Sequence, residues 1–239
     1  MISKVKAKFI KSLQLKKYRK QEQSFVVEGR KGVEELLKSD FEVTTVFGTR
    51  DFIGSHDIKD AEVIEATAAE LESLGSVETN DSVLAIARTK DNIRPSIGAN
   101  EYALVLDDIR DPGNLGTIIR TADWYGIKHV IASEETADFY NPKVIRSTMG
   151  SFCRVKIYYT SLDDFLEGGK VVYGTFLDGA NVHELKLSPG LIVIGNESNG
   201  ISKEVAKHVT QKITIPRFGK AESLNASIAT AIILDNLRR

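Results

Sequence analysis

Three short segments of the 239-residue chain combine turn-forming residues with groups able to bind or polarise a substrate, and each follows an apolar run. The first is DIRDPGNLGTIIRTADWYG, residues 108–126. DPGN makes a tight turn and Asn114 stands where a helix cap would. Leu115, Ile118, Ile119 and Ala122 recur at i, i+3, i+4 and i+7, the spacing of one buried helical stripe. Thr117, Arg120 and Trp124 then share the opposite face. A guanidinium in the first turns of a helix that begins beside a strand end can grip a phosphate through its planar fork of donors. The same spacing also accommodates a solvated surface arginine. The second segment is LIVIGNESNGISKE, residues 191–204, in which a strand, a glycine turn and a helix make a backbone cradle for a ligand. It is neither GxGxxG nor a phosphate loop with its lysine; Glu197 sits inside the turn instead. The third is ITIPRFGKAESLNASIATAIILDNLRR, residues 213–239. A strand ends at Pro216 and a loop follows, and a helix expected to start around Ser223 is apolar nearly all round from Leu224 to Leu237, as a buried or subunit-contacting helix would be. Ser223, Asn225 and Ser227 cluster at its start, where free N–H groups lie; a capping role and a binding role both suit them.

The elements that must hold these segments are legible as apolar runs. Downstream of residue 100, ALVLDD, HVIAS, RVKIYY, KVVYGTF, GLIVIG and KITIP alternate with helical segments, the pattern of a mostly parallel sheet covered on both faces. Ligands bind outside the carboxyl ends of such strands, so this part should hold the chemistry. Upstream, FVVEG at 25–29, TTVFG at 44–48 and DSVLAIA at 81–87 read as strands, and KGVEELLKS and ATAAELESLG as helices, giving a small α/β domain. The polar stretch RTKDNIRPSIGAN, residues 88–100, reads as a linker, which divides the chain into residues 1–95 and 96–239.

As a set, NLGTIIRTADWYG, GNESNG and IPRFGKAESLNAS resemble, in order and spacing, the three motifs of the SpoU (TrmH) family of RNA ribose 2'-O-methyltransferases, of the SPOUT class. The likeness covers most of residues 103–239, and SFVVEGRKGVEELLKS resembles the start of the small RNA-binding substrate domain that many members carry. The resemblance implies an α/β catalytic domain whose C-terminal segment forms a deep trefoil knot, an exception to the usual unknotted chain. It implies S-adenosylmethionine as cofactor, bound around Gly195, Asn196, Ile215, Pro216, Leu224 and Asn225, and a homodimer through the knotted domain. Arg120 matches the arginine that the family uses to activate the ribose hydroxyl, and Asn114, Glu197, Ser223 and Asn225 match its other polar motif positions. A guanidinium stays protonated in proteins, so Arg120 is expected to clamp a phosphate and stabilise negative charge on the 2'-oxygen. Arg217 departs from the pattern, standing where the family more often has methionine.

Composition narrows the alternatives. The single cysteine and the four scattered histidines offer neither a disulfide framework nor a metal-ligand spacing, and the reaction implied needs no metal. No run approaches the roughly 20 apolar residues of a membrane span, and the start lacks a secretory apolar core, so a cytoplasmic protein is expected. A net charge of -1 conceals an asymmetry, because residues 1–30 hold nine Lys or Arg against two Glu. That suits an arm on RNA phosphates, and equally a solubilising helix face. A dehydrogenase is excluded by the missing GxGxxG and its distant acid. The expected function is methylation of a ribose 2'-hydroxyl, in ribosomal RNA because of the separate N-terminal domain. The alternatives are a transfer-RNA enzyme and a non-catalytic RNA-binding factor.

Overall fold

The computed structural model describes residues 2–75 and 82–237, so Asp81, at the head of one expected strand, and the terminal Arg238 and Arg239 lie outside the described residues. These residues fall into two compact units, residues up to 91 with 138–153, and residues 92–137 with 154 onward.

The first unit runs α1 (Lys4–Ser12), α2 (Lys16–Glu22), β1 (Ser24–Glu28), α3 (Arg30–Leu37), β2 (Val43–Gly48), α4 (Arg50–Ser55), β3 (Glu62–Glu65), α5 (Ala68–Leu74) and β4 (Val83–Arg88), with α7 (Pro142–Ser147) supplied by its later segment. Its four-stranded sheet has the order β1-β4-β2-β3; only β2 and β3 run parallel. The alternating requirement of a sheet face is met by Val26, Phe47, Leu84 and Ile86, which bury with Ile10 and Leu13 from the helical start and Leu71 and Leu74 of α5. Residues 138–153 belong here because Tyr140 and Phe152 pack their rings on Phe25 at 4.7 and 6.1 Å. Arg19, only 3% exposed, also anchors that segment: its guanidinium donates to Asp138 Oδ2 and to the carbonyls of Leu13 and Gln14. Such a pair survives burial because four of the five guanidinium N–H groups face an acceptor.

The second unit contains β5 (Ala103–Leu106), α6 (Pro112–Trp124), β6 (His129–Ala132), β7 (Lys156–Tyr159), α8 (Leu162–Leu166), β8 (Val172–Asn181), β9 (Leu191–Ile194), α9 (Lys203–Ala206), β10 (Gln211–Thr214) and α10 (Ala226–Asn236). Six strands form one sheet in the order β10-β8-β9-β5-β6-β7, every neighbouring pair parallel. The α/β class with a parallel sheet is therefore as the sequence implies. All four residues of β5 and of β9 are buried, which is why both segments are continuous apolar runs without alternation. Val105, Ile131 and Val193 pack on one face with Leu162, Phe165 and Leu166 of α8 and Val205 of α9. Helices α6 and α10 pack on each other. From β5 the chain adds β6 and β7 on one side, then returns to place β9 on the other, so the order reverses between β5 and β9. The crevice that forms at the carboxyl ends of two strands at such a reversal is where open α/β sheets bind ligands.

Two local expectations are corrected. Asn114 does not cap α6: the N-cap is Asp111, whose Oδ1 accepts the Asn114 N–H at 2.8 Å, and Pro112 takes the first helical position, where a missing N–H costs nothing. Helix α10 does not begin around Ser223 either. Asn225 is its N-cap, its Oδ1 accepting from the N–H groups of Ser227 and Ile228, and Leu224 lies outside the helix. Standing at the N-cap position, Asn225 reaches the N2 and N3 amides directly, as an N-cap side chain must. The helix is also less uniformly buried than its composition suggests, with Ile228 52% exposed.

Candidate active site

The segments that follow β5, β9 and β10 converge through side-chain hydrogen bonds. Asn114 Nδ2, in the first turn of α6, donates to Glu197 Oε1 at 2.6 Å, and Asn225 Nδ2 donates to Asn114 Oδ1 at 2.8 Å. Asn114 thus uses both ends of its amide to join the turn after β9 to the cap of α10, residues 83 and 111 positions away in sequence. With Asp111 doing the capping, the Asn114 side chain is left free for this. Glu197 and Asn114 are partly buried, while Asn225 keeps an exposed edge.

The turn that presents Glu197 is built with little slack. Asn196 and Gly200 exchange backbone hydrogen bonds of 3.0 and 2.9 Å, and Asn196 Oδ1 accepts from the N–H groups of Ser198 and Asn199. Gly200 has φ +69, and a Cβ on Gly195 would lie 2.3 Å from the Gly200 carbonyl carbon, so both glycines are required by geometry. Asn196 Nδ2 reaches across to the Asp108 carbonyl at 2.8 Å.

Two residues to which the sequence pattern assigns no role hold the turn in place. Asp107, 6% exposed, donates its N–H to Ile194 at 2.9 Å and accepts the Ser202 N–H on Oδ2 at 2.7 Å, so one residue grips both ends of the 195–201 loop. Asp108 adopts a left-handed backbone with φ +60, and Arg110 lies against its carboxylate at 2.6 Å. The signal was the pair of acids closing the apolar run ALVLDD, at the carboxyl end of a buried strand.

Arg120 stands on the exposed face of α6, six residues and therefore about 9 Å along the axis from Asn114. It has no hydrogen bond or ion pair among the described residues. Thr117 is exposed beside it and Trp124 is 83% exposed, whereas Tyr125 turns inward and donates to Asp235 Oδ1 of α10 at 3.2 Å. Ile215 and Pro216 are half-buried after β10, and Leu224 is 47% exposed immediately before the cap. Ser223 is exposed and is not drawn into the Asn114 network; Arg217 donates to the Ala221 carbonyl at 3.2 Å within its own loop.

Residues 101–235 match the SpoU rRNA Methylase family model, more than half of the chain. The chain belongs to the SpoU rRNA methylase family. Residues 4–85 also match the MRM3-like substrate binding domain. Among SpoU relatives, the 23S rRNA (guanosine(2553)-2'-O)-methyltransferase RlmP of Bacillus subtilis is 31% identical over 239 residues, covering 98% of this chain and 96% of the relative. An AdoMet-bound rRNA methyltransferase from Sinorhizobium meliloti is 31% identical, with TM-score 0.87 over 100% of this chain and 96% of that one. The SpoU methyltransferase AviRb from Streptomyces viridochromogenes, in complex with AdoMet, is 25% identical with the same TM-score 0.87, over 98% and 97% of the two chains.

Proposed function

We propose that this chain transfers the methyl group of S-adenosylmethionine to a ribose 2'-hydroxyl of RNA, and that the RNA is ribosomal. The observation that carries the reading is the Asn225–Asn114–Glu197 hydrogen-bond chain at the reversal point of a parallel sheet. It ties together the three segments that define the SpoU resemblance.

The residues present fit the cofactor. An adenosine needs an apolar slot for its purine and polar partners for its hydroxyls. Ile215 is half-buried and Leu224, the residue before the Asn225 cap, is 47% exposed, so apolar surface stays uncovered between β10 and α10. Gly195, Asn196, Ile215, Pro216, Leu224 and Asn225 would hold it, largely by backbone and apolar contact. When bound it supplies a methyl group already activated on a sulfonium.

The protein must then orient a weak nucleophile in line with that methyl and stabilise the charge that develops on the hydroxyl oxygen. Arg120 provides the stabilisation, because its free, planar fork clamps the phosphate of the target nucleotide and faces the developing alkoxide. Asn114 fixes Glu197 and Asn225 relative to the α6 helix that carries Arg120, so cofactor and phosphate are held in one frame. Ser223, exposed on the loop before α10, offers a hydroxyl to the RNA.

In this reading residues 96–239 carry out methylation with the C-terminal segment threaded as the SpoU trefoil knot, and residues 1–95 bind the substrate. A second copy covers the exposed Trp124 of α6 and Ile228 of α10, apolar groups on two helices that pack on each other. RNA of this kind places the protein in the cytoplasm, and among the described residues no helix is long and apolar enough to cross a membrane.

The test is transfer of labelled methyl from S-adenosylmethionine to ribosomal and transfer RNA fractions from a strain lacking the gene, beside Arg120→Ala and Arg120→Lys. Label recovered as 2'-O-methyl ribose in the ribosomal fraction, and lost in both variants, is expected. Label in the transfer fraction would redirect the substrate. Cofactor and RNA binding without transfer would favour the non-catalytic factor, and a normal rate for Arg120→Lys would remove the clamp, since lysine lacks the fork.

A further inference from the structure

The loop that joins β10 to α10, residues 215–224, is tied to the candidate site at both ends and leaves its middle without a part in the reaction. Its first residue, Ile215, borders the surface assigned to the cofactor. At its other end it runs into Asn225, whose amide is bonded to Asn114. Between the two stands Phe218, 97% exposed, the most exposed of the large apolar side chains among the described residues. The other nine phenylalanines are buried or half-buried. Among the described residues no ring or cation lies against Phe218.

A single exposed apolar residue needs no explanation by itself. The loop around this one supplies the second observation. Arg217 turns back so that its Nη1 donates to the Ala221 carbonyl at 3.2 Å, which ties together the residues on either side of Phe218. Pro216 fixes the backbone just before them. The ring is thus carried on a closed turn that presents it to solvent. Arg217 and Lys220 flank it, against Glu222 as the one acid of the loop, so its surroundings are positive on balance. An open aromatic face bordered by cations matches a nucleotide, which brings a π-surface and negative charge together. Three residues span at most about 11 Å, so a base stacked on this turn is held close to the reacting ribose. In the proposed reading the cofactor's adenine takes the partly covered surface of Ile215 and Leu224, and a second copy takes Trp124 and Ile228, which leaves this ring to the RNA.

We propose that Phe218 is the stacking platform for an unpaired base of the substrate RNA at the methylation site. The inference rests on the reading of the substrate as RNA, and it adds a residue to which the proposed reaction gives no part. Splayed-out bases are gripped in this way in RNA recognition, and fixing the base fixes the ribose to which it is bonded.

The test reads steady-state methyl transfer to ribosomal RNA from a strain lacking the gene, with the RNA varied and the cofactor saturating. Phe218→Ala should raise the RNA KM about 5- to 150-fold, the loss that alanine brings at one stacked base, and leave kcat within about twofold, because stacking holds ground and transition states alike. Phe218→Leu, apolar but without a π-face, should behave like the alanine variant, and Phe218→Trp should restore the wild-type KM. S-adenosylmethionine affinity by calorimetry should be unchanged in all three. Fluorescence of Phe218→Trp in a Trp124→Phe background, which leaves one indole on the loop, gives a readout independent of turnover: ribosomal RNA should quench it and the cofactor alone should not. A wild-type KM in Phe218→Ala would overturn the proposal, as would a leucine variant equal to the parent or quenching by the cofactor alone. A lower sedimentation coefficient for Phe218→Ala would do the same, assigning the ring to a second copy. Absence of methyl transfer by the wild type would strike the proposed reaction instead, and the quench by RNA would then decide the stack.

Discussion

Replacing Gly195 by alanine tests the proposed cofactor turn by geometry alone. The added Cβ would lie 2.3 Å from the Gly200 carbonyl carbon, 2.4 Å from the Ile201 nitrogen and 2.6 Å from the Gly200 oxygen. All three are backbone atoms, so no flexible side chain can step aside. Restoring ordinary contact requires the Asn196–Gly200 ladder to move by about 1 Å, which breaks or stretches its two backbone hydrogen bonds. Two lost bonds cost about 2 kcal/mol, and overpacking adds about 1–3 kcal/mol; water reaching the exposed hairpin recovers part of this, leaving about 2–4 kcal/mol. For a chain of this size that lowers Tm by about 5–15 °C. The displacement also carries Glu197 away from Asn114, so S-adenosylmethionine affinity by calorimetry should fall at least tenfold. Wild-type Tm together with wild-type cofactor affinity would refute the reasoning.

Asn114→Asp places a second carboxylate where Glu197 now accepts a hydrogen bond at 2.6 Å; repulsion separates the two, and the methyl-transfer rate should fall at least tenfold with a Tm change under about 3 °C. Asn114→Ala, whose freed partners reach water, should show the smaller loss of the two. Gly54→Ala should stabilise the protein by about 0.5–1 kcal/mol in urea titration, because the residue is exposed within α4 and a Cβ there meets nothing within 4 Å. Burial holds the His129 imidazole below its ordinary pKa of 6.5, and its Nδ1 has no hydrogen-bond partner among the described residues. Protonation therefore favours the unfolded chain, so stability present above pH 6.5 is lost as pH falls below it. His129→Phe should flatten that acid limb in urea titrations at pH 7.5, 6 and 5; an unchanged or steeper limb would count against it.

The sequence by itself determined the layer architecture and the order of its parts. Strands β5, β6 and β9 are buried on both faces, and such strands must be continuous apolar runs, so ALVLDD, HVIAS and GLIVIG declared themselves without any knowledge of the fold. The α6 stripe of Leu115, Ile118, Ile119 and Ala122 was equally visible, because a helix buries every third or fourth residue wherever it packs. The three chemical segments were recognisable because turns and caps use a restricted set of residues.

Tertiary structure decided what each polar residue does. The sequence pointed to Asn114 as the cap, a role that Asp111 takes; only the approach of Glu197 and Asn225, 83 and 111 residues away, settles that the Asn114 amide bridges two loops. Asp107 carries no role legible in the sequence; it gains one only because the fold brings beside it the loop it holds by both ends. Short strand β3, with one of its four residues half-buried and the rest exposed, gave no apolar signal, and it forms because β2 offers it an edge. The segment 138–153 shows no break in the sequence at either end, yet its Tyr140 and Phe152 complete the aromatic core around Phe25. Local sequence encodes periodicity, propensity and caps, which are properties of neighbours along the chain. Partnerships between residues a hundred positions apart depend on sheet order, and sheet order is fixed only when the whole core is packed.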